Sequence, residues 1–125
     1  ALRMEPKSIE AMYNKAKFFQ DIADWKKAEE QYKNILLLNP QHQDANFNLG
    51  YVYIEMNKPD DALKYFDASI KNDPNYFKGF FGRGFCFKKK GKPSEALVEF
   101  RKCLELNPDF KPAQEEVNNI NSTKH

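Results

Sequence analysis

Residues 43–76 read QDANFNLGYVYIEMNKPDDALKYFDASIKNDPNY, and segments of the same length and similar residue pattern lie on both sides of them. Prolines mark the period, since they stand 34 residues apart at positions 6, 40, 74 and 108. A fixed period of this length indicates a supersecondary unit that cannot bury its own apolar face, so neighbouring units must stack into a shared core. The stretch therefore predicts a short solenoid.

The period divides the chain into three complete units, residues 9–42, 43–76 and 77–110. Each unit carries two helical patterns, in which a small residue and an aromatic residue three or four positions later share one helix face. Small residues let two antiparallel helices approach closely, and the aromatic residues fill the space between helices. The pairs in the first helices are Ala16 and Phe19, Gly50 and Tyr53, and Gly84 and Phe87, and those in the second helices are Ala28 and Tyr32, Ala62 and Phe66, and Ala96 and Phe100.

Proline positions predict where the second helices begin and end. Pro59 and Pro93 suit the first turn of a helix, where the missing amide proton costs nothing. A residue that precedes proline is pushed out of the helical region, so each second helix should end just before the proline of its unit. Trp25 is predicted to lie in the turn between the two helices of the first unit. The predicted helix ends are Asn39, Asp73 and Asn107.

The segments outside the three units are interpreted as parts of a longer array and its cap. Residues 1–6 repeat the spacing of residues 35–40, which predicts that residues 1–8 are the end of a preceding, truncated repeat. Residues 111–125 carry a thin apolar stripe that includes Val117 and Ile120, and this pattern predicts a capping helix followed by a polar tail. The first helix of a truncated fourth repeat is the alternative for this last segment.

Composition argues against several classes of function. The 125 residues include 20 Lys and Arg and 18 Asp and Glu, and the net charge of +2 is too small to indicate nucleic acid or a membrane surface as partner. Cys86 and Cys103 form no metal-binding or disulfide pattern. His42 and His125 are not placed to act as a general base, so we expect no catalytic residue, metal or cofactor. The compartment is left open, with the cytoplasm favoured and a leader on a longer parent still compatible.

The 34-residue pattern resembles the tetratricopeptide repeat, a helix-turn-helix unit with small, aromatic and proline positions like those above. The resemblance covers nearly the whole chain, although the Leu-Gly pair typical of the first helix is complete only at Leu49 and Gly50. It implies an all-α fold, a right-handed α-solenoid of antiparallel helix pairs. It also implies a non-catalytic protein-protein interaction module whose first helices line a concave face.

The first helices carry more aromatic residues than packing requires. Aromatic residues rimmed by polar groups are typical of protein-binding hot spots, although any one of them could instead thicken the core. We therefore predict that a peptide or a partner helix of unknown identity binds in the concave groove. The predicted groove residues are Tyr13, Lys17, Phe47, Asn48, Tyr51, Lys78, Phe81 and Phe85.

Other functions are compatible with the same pattern. The repeats could form a structural or self-associating solenoid segment through their exposed ends, or an accessory domain of a larger enzyme. A third alternative is the carboxylate clamp of tetratricopeptide co-chaperones, which holds the acidic tails of heat-shock chaperones. Only Asn48 and Lys78 match its motif, because Tyr13, Lys17 and Gly82 occupy the other three positions. Two matches leave too few donors to hold a carboxylate, so the clamp is disfavoured.

Overall fold

The computed structural model describes residues 6–122, and all regular structure in that part of the chain is helical. The helices pair antiparallel within each unit, and successive pairs stack, so the fold is the all-α solenoid that the sequence predicts. The helices are α1 Pro6–Asp21, α2 Trp25–Leu38, α3 Gln43–Glu55, α4 Pro59–Asn72, α5 Phe77–Lys89, α6 Pro93–Leu106 and α7 Lys111–Ser122.

The predicted boundaries of the second helices are confirmed. Helix α4 begins at Pro59 and α6 at Pro93, each within the first helical turn. Helices α2, α4 and α6 end against the three residues that precede the unit prolines. Each of these residues donates its backbone N–H to the carbonyl four positions earlier, which closes the last turn. They are Asn39, Asp73 and Asn107.

The prediction for Trp25 is wrong, because Trp25 is the first residue of α2 and not part of the preceding turn. The carboxylate of Asp24 accepts the backbone N–H of Lys27 at 3.3 Å, and this N-cap starts the helix directly after Asp24. The Trp25 ring is half-buried against the core of the first two units. The cap, more than the bulky side chain, therefore decides where α2 begins.

Small residues bring the two helices of a unit together, as predicted. Ala16, Ala28, Ala62 and Ala96 are fully buried. Gly50 and Gly84 are also buried, and each faces the aromatic ring of the second helix in its own unit. A Cβ added at Gly50 would lie 2.7 Å from Cε1 of Phe66, and one at Gly84 would lie 2.6 Å from Cε1 of Phe100. The rings occupy the space that these glycines leave open.

Helix α7 packs against α6 at the carboxyl-terminal end of the stack. Its buried residues are Ala113, which joins Phe80 and Cys103, and Ile120, which joins Leu97 and Phe100. Helix α7 thereby covers the last apolar face of the third pair, as expected of a capping helix.

Helix α1 begins at Pro6, three residues before the predicted start of the first unit at Ile9. Residues 1–5 and 123–125 lie outside the described residues. The interpretation of residues 1–8 as the end of a preceding repeat, and the unit boundaries drawn from the period, therefore stay predictions.

Candidate functional site

A pocket of about 140 Å³ opens between α3 and α5, the first helices of the second and third units. These two helices pack directly against each other, so their exposed sides form one continuous surface. Aromatic and aliphatic side chains dominate the lining. The lining residues are Phe47, Tyr51, Ile54, Glu55, Phe66, Phe81, Gly82 and Phe85.

Phe66 of α4 forms the base of this pocket. Its ring is 2% exposed and lies beneath Gly82 of α5. A Cβ added at Gly82 would lie 2.3 Å from Cε1 of Phe66, which is closer than non-bonded carbon atoms approach in proteins. A side chain at position 82 and the Phe66 ring therefore exclude each other, and the glycine keeps the base of the pocket aromatic.

The walls are phenylalanine rings, and one side of each ring packs against the core. Phe81 meets Phe85 edge-on, with ring centroids 5.4 Å apart, and Phe100 lies 5.6 Å from Phe81 on the core side. Phe47 is held in the same way by Phe66 at 5.7 Å. The three wall rings are half-buried. They therefore thicken the core and line the pocket at the same time, and their positions are fixed before any ligand arrives.

Polar groups lie only at the rim of the pocket. Tyr51 is 41% exposed, and Glu55 follows one turn later on the same side of α3. Partial burial and the neighbouring Glu55 carboxylate, which also accepts a hydrogen bond from the hydroxyl, raise the pKa of Tyr51. Lys88 lies over the Phe85 ring at 5.2 Å and is paired with Glu116 at 2.7 Å. Glu55 has no ion-pair partner within residues 6–122.

Tyr13 and Asn48 join α1 to α3 outside this pocket. The Asn48 side-chain amide donates to the Tyr13 hydroxyl at 3.0 Å, and Asn48 is 9% exposed. The Tyr13 ring packs edge-on against Tyr32, with centroids 6.1 Å apart. Burial, with a smaller contribution from the Asp44 carboxylate, raises the pKa of Tyr13. The Asn48 amide is thus already engaged within the protein.

The structure brings four of the eight predicted residues together around the pocket and leaves four outside its lining. Lys17 is partly exposed on α1, and Lys78 is exposed in the first turn of α5. Ile54 and Glu55 were missed, although they stand three and four positions after Tyr51 and the helical spacing could have found them. The four lining residues that were predicted are Phe47, Tyr51, Phe81 and Phe85.

Residues 6–122 contain neither a metal-binding cluster nor a membrane-spanning helix. No three side chains of His, Cys, Asp or Glu lie close enough there to hold a metal ion. No helix in that part of the chain has the length and apolar character needed to cross a membrane.

Two models of the tetratricopeptide repeat match residues 23–79 and 77–110. No curated protein sequence matches significantly.

Solved structures with the same fold share little sequence identity with the chain. The type III secretion translocator chaperone SycD of Yersinia enterocolitica superposes with a TM-score of 0.90 at 18% identity, over 99% of both chains. A second SycD structure, in complex with a peptide of the translocator YopD, gives 0.87 at 18% identity, over 99% of this chain and 100% of that one. The first tetratricopeptide domain of Spaghetti, bound to the HSP90 peptide SRMEEVD, gives 0.88 at 18% identity, over 98% of both.

Proposed function

This chain belongs to the tetratricopeptide repeat family and is a protein-protein interaction module, and we propose that its α3–α5 pocket is the centre of a groove that binds a peptide or partner helix. The observation that carries the proposal is the pocket itself, whose aromatic walls are partly open to solvent. Burying one large apolar side chain there is worth roughly 1.5–3 kcal/mol. The proposal assigns no catalytic residue.

Two of the similar structures support a peptide as the class of ligand. SycD was solved with a peptide of YopD, and the Spaghetti domain with an HSP90 peptide. At 18% identity these likenesses carry the fold and not the identity of the partner. The carboxylate clamp stays disfavoured, because the Phe66 ring leaves no room for a basic side chain at position 82.

Peptide selection tests the proposal without knowledge of the natural partner. The chain is immobilised, a phage-displayed library of random peptides is selected on it, and an enriched peptide is synthesised with a fluorescent label for anisotropy titration. We expect Tyr51→Ala to weaken this peptide about tenfold, because truncation of a hot-spot aromatic typically costs 1 kcal/mol or more. Tyr51 is partly exposed, so the substitution should leave the fold intact.

Leu37→Ala is the matched control, since Leu37 is 80% exposed on α2 and does not line the pocket. It should bind the peptide as the unmodified chain does. Equal weakening by both variants, or no enriched peptide at all, would contradict the proposal.

A second candidate function, self-association through the end face, is favoured by an exposed apolar patch at α1. Phe18 is 57% exposed and Ile22 is 56% exposed. The residues one and two periods after Phe18 are Val52 and Cys86, which are fully buried where α2 packs on α3 and α4 packs on α5. The α1 face thus resembles surfaces that carry a neighbouring helix elsewhere in the array, and a second copy of the chain is the partner proposed here.

Light scattering over a dilution series tests this second candidate. The unmodified chain should show a mass that rises with concentration, and Phe18→Ser should stay at the monomer mass. A monomer mass at all concentrations for both proteins would rule it out.

A further inference from the structure

We propose that the pocket selects peptides that insert a bulky apolar side chain and place a basic side chain beside it, within reach of Glu55. The inference rests on the proposed function and specifies its ligand. It assigns recognition to two parts of one site: the aromatic walls and base choose the inserted residue, and the carboxylate at the rim chooses its neighbour.

The walls and base favour an apolar anchor. Phe47, Phe81 and Phe85 present ring surfaces to the pocket, and Phe66 closes it from below. A polar group inserted among these rings would lose its water without gaining a hydrogen-bond partner, which costs several kcal/mol in an apolar setting. The pocket volume of about 140 Å³ suits one side chain of the size of leucine, methionine or phenylalanine.

The charges around the rim favour a basic neighbour. Glu55 is exposed and has no ion-pair partner within residues 6–122, whereas Lys88 at the Phe85 wall is neutralised by Glu116 at 2.7 Å. Glu55 is therefore the charged residue among those that line the pocket. A lysine or arginine next to the anchor gains attraction, and an acidic residue in the same place is repelled.

The same rim argues against selection of acidic peptides. Lys17 and Lys78 are the basic residues among the predicted groove positions, and neither lines the pocket. The Asn48 side-chain amide already donates to the Tyr13 hydroxyl, and the Phe66 ring leaves no room for a side chain at position 82. This array therefore lacks, at its pocket, the cation cluster that an acidic tail requires.

A charge-reversal variant turns the inference into a measurable change of selectivity. The random peptide library is selected in parallel on the unmodified chain, on Glu55→Arg and on Glu30→Arg. Glu30 is an exposed glutamate on α2 that does not line this pocket, so Glu30→Arg controls for the change in net charge. Glu55 is likewise exposed, and neither substitution disturbs the core.

Peptides enriched on the unmodified chain and on Glu30→Arg should carry leucine, methionine or phenylalanine. A lysine or arginine should lie within about three residues of that anchor, because positions this close on an extended peptide can reach the anchor pocket and its rim together. Glu55→Arg should retain the apolar preference and enrich aspartate or glutamate instead. For one labelled peptide enriched on the unmodified chain, Glu55→Arg should weaken binding roughly fivefold, since exposed ion pairs contribute up to about 1 kcal/mol each. Added salt should reduce this difference.

Three results would overturn the inference while leaving the proposed function intact: peptides enriched on the unmodified chain without an apolar anchor, peptides with acidic or unbiased flanks, or the same flanking charge on Glu55→Arg. In each case peptides still bind, and Tyr51→Ala still weakens them. Failure of the proposed function looks different, because then no peptide is enriched or Tyr51→Ala leaves binding unchanged, and the inference falls with it.

Discussion

The Phe66 ring and residue 82 compete for one volume at the base of the pocket. A Cβ at position 82 would lie 2.3 Å from Cε1 of Phe66 and 2.7 Å from its Cγ. Because Cγ is tied closely to the α4 backbone, the ring cannot swing clear without a shift of the helix. Glycine occupies this position although, in a helix interior, it is about 1 kcal/mol less stabilising than alanine.

We expect Gly82→Ala to lower the free energy of unfolding by about 1 kcal/mol. Overpacking of a core costs typically 1–3 kcal/mol, which outweighs the gain of about 1 kcal/mol in helix propensity. Urea unfolding followed by circular dichroism measures the change. The double variant Gly82→Ala/Phe66→Leu is the control, because removal of the ring should remove most of the penalty of the alanine. A penalty that persists on the Phe66→Leu background would show that the ring contact is not its cause.

Glu29 links the first unit to the second through a charged hydrogen bond. Its carboxylate accepts the Tyr53 hydroxyl at 2.5 Å and pairs with Lys33 at 3.3 Å. Partial burial alone would raise the pKa of Glu29, but the hydrogen bond from Tyr53 and the contact with Lys33 together outweigh it, so the net pKa is lowered. The ionised carboxylate is therefore the form that the folded chain prefers.

The lowered pKa predicts a pH-dependent effect of Glu29→Gln. Because the folded-state pKa lies below the unfolded value near 4.5, the stabilisation is present above that value and is lost as the pH falls through the folded pKa. We expect Glu29→Gln to lower the free energy of unfolding by about 1 kcal/mol at pH 7, the difference between a charged and a neutral hydrogen bond, and to have a smaller effect at pH 3. Urea titrations at both pH values test this, with the exposed Glu30→Gln as the control. An equal loss at both values would contradict the ionic origin.

At the scale of the element, each first helix ends in the same backbone motif. One residue of the following turn adopts a left-handed conformation, with φ of 61° at Ala23, 61° at Asn57 and 75° at Gly91. The next residue then donates its N–H back to the carbonyl five positions earlier, at 2.8 Å in all three units, as in a Schellman motif. Alanine is the residue least suited of the three to this conformation, because its Cβ crowds the backbone.

Ala23→Gly should therefore raise the free energy of unfolding by roughly 0.5–1 kcal/mol, since relief of the 1–2 kcal/mol left-handed strain exceeds the entropy that glycine adds to the unfolded chain. Gly91→Ala is the reciprocal variant and should lower it by a similar amount, because no atom lies within 4 Å of the added Cβ and only the backbone conformation is affected. Thermal unfolding of both proteins measures the two changes. Shifts of the same sign would refute the backbone explanation.

At the scale of the whole molecule, stability comes from contacts between neighbouring helix pairs, and α7 supplies the last of them. Helix α7 touches the array mainly through α6, where Ile120 is 6% exposed among Leu97 and Phe100. In a linear stack of this kind, a defect at one end is not compensated by distant units.

Ile120→Ser should lower the free energy of unfolding by about 2 kcal/mol, the lower end of the cost of truncating a buried aliphatic side chain. Asn119→Ser, at the neighbouring exposed position of α7, is the matched control and should change little. Thermal unfolding followed by circular dichroism measures both variants. Equal midpoints for Ile120→Ser and the unmodified chain would mean that α7 does not stabilise the array.

Local rules were enough to predict the helix boundaries that proline marks, at Pro59 and Pro93, because the constraint lies within one or two peptide units. They failed at Trp25, where the competing signal was the side-chain cap from Asp24.

The groove prediction found the aromatic residues through their period. It missed Phe66 as the pocket base, because Phe66 is a core residue of its own unit and comes to lie beneath Gly82 only when α5 packs on α4.

The 34-residue period by itself determined the fold, because each helix pair has an apolar face that only an equivalent neighbour can cover. It also placed aromatic residues on the first helices. Only the tertiary structure decided which of them line one pocket, since the pocket is assembled from α3, α4 and α5 and its shape depends on the fit of Phe66 under Gly82. The tertiary structure also decided which charge lines the pocket, because the packing of α3 on α5 brings Glu55 to it and leaves the predicted Lys17 and Lys78 outside its lining.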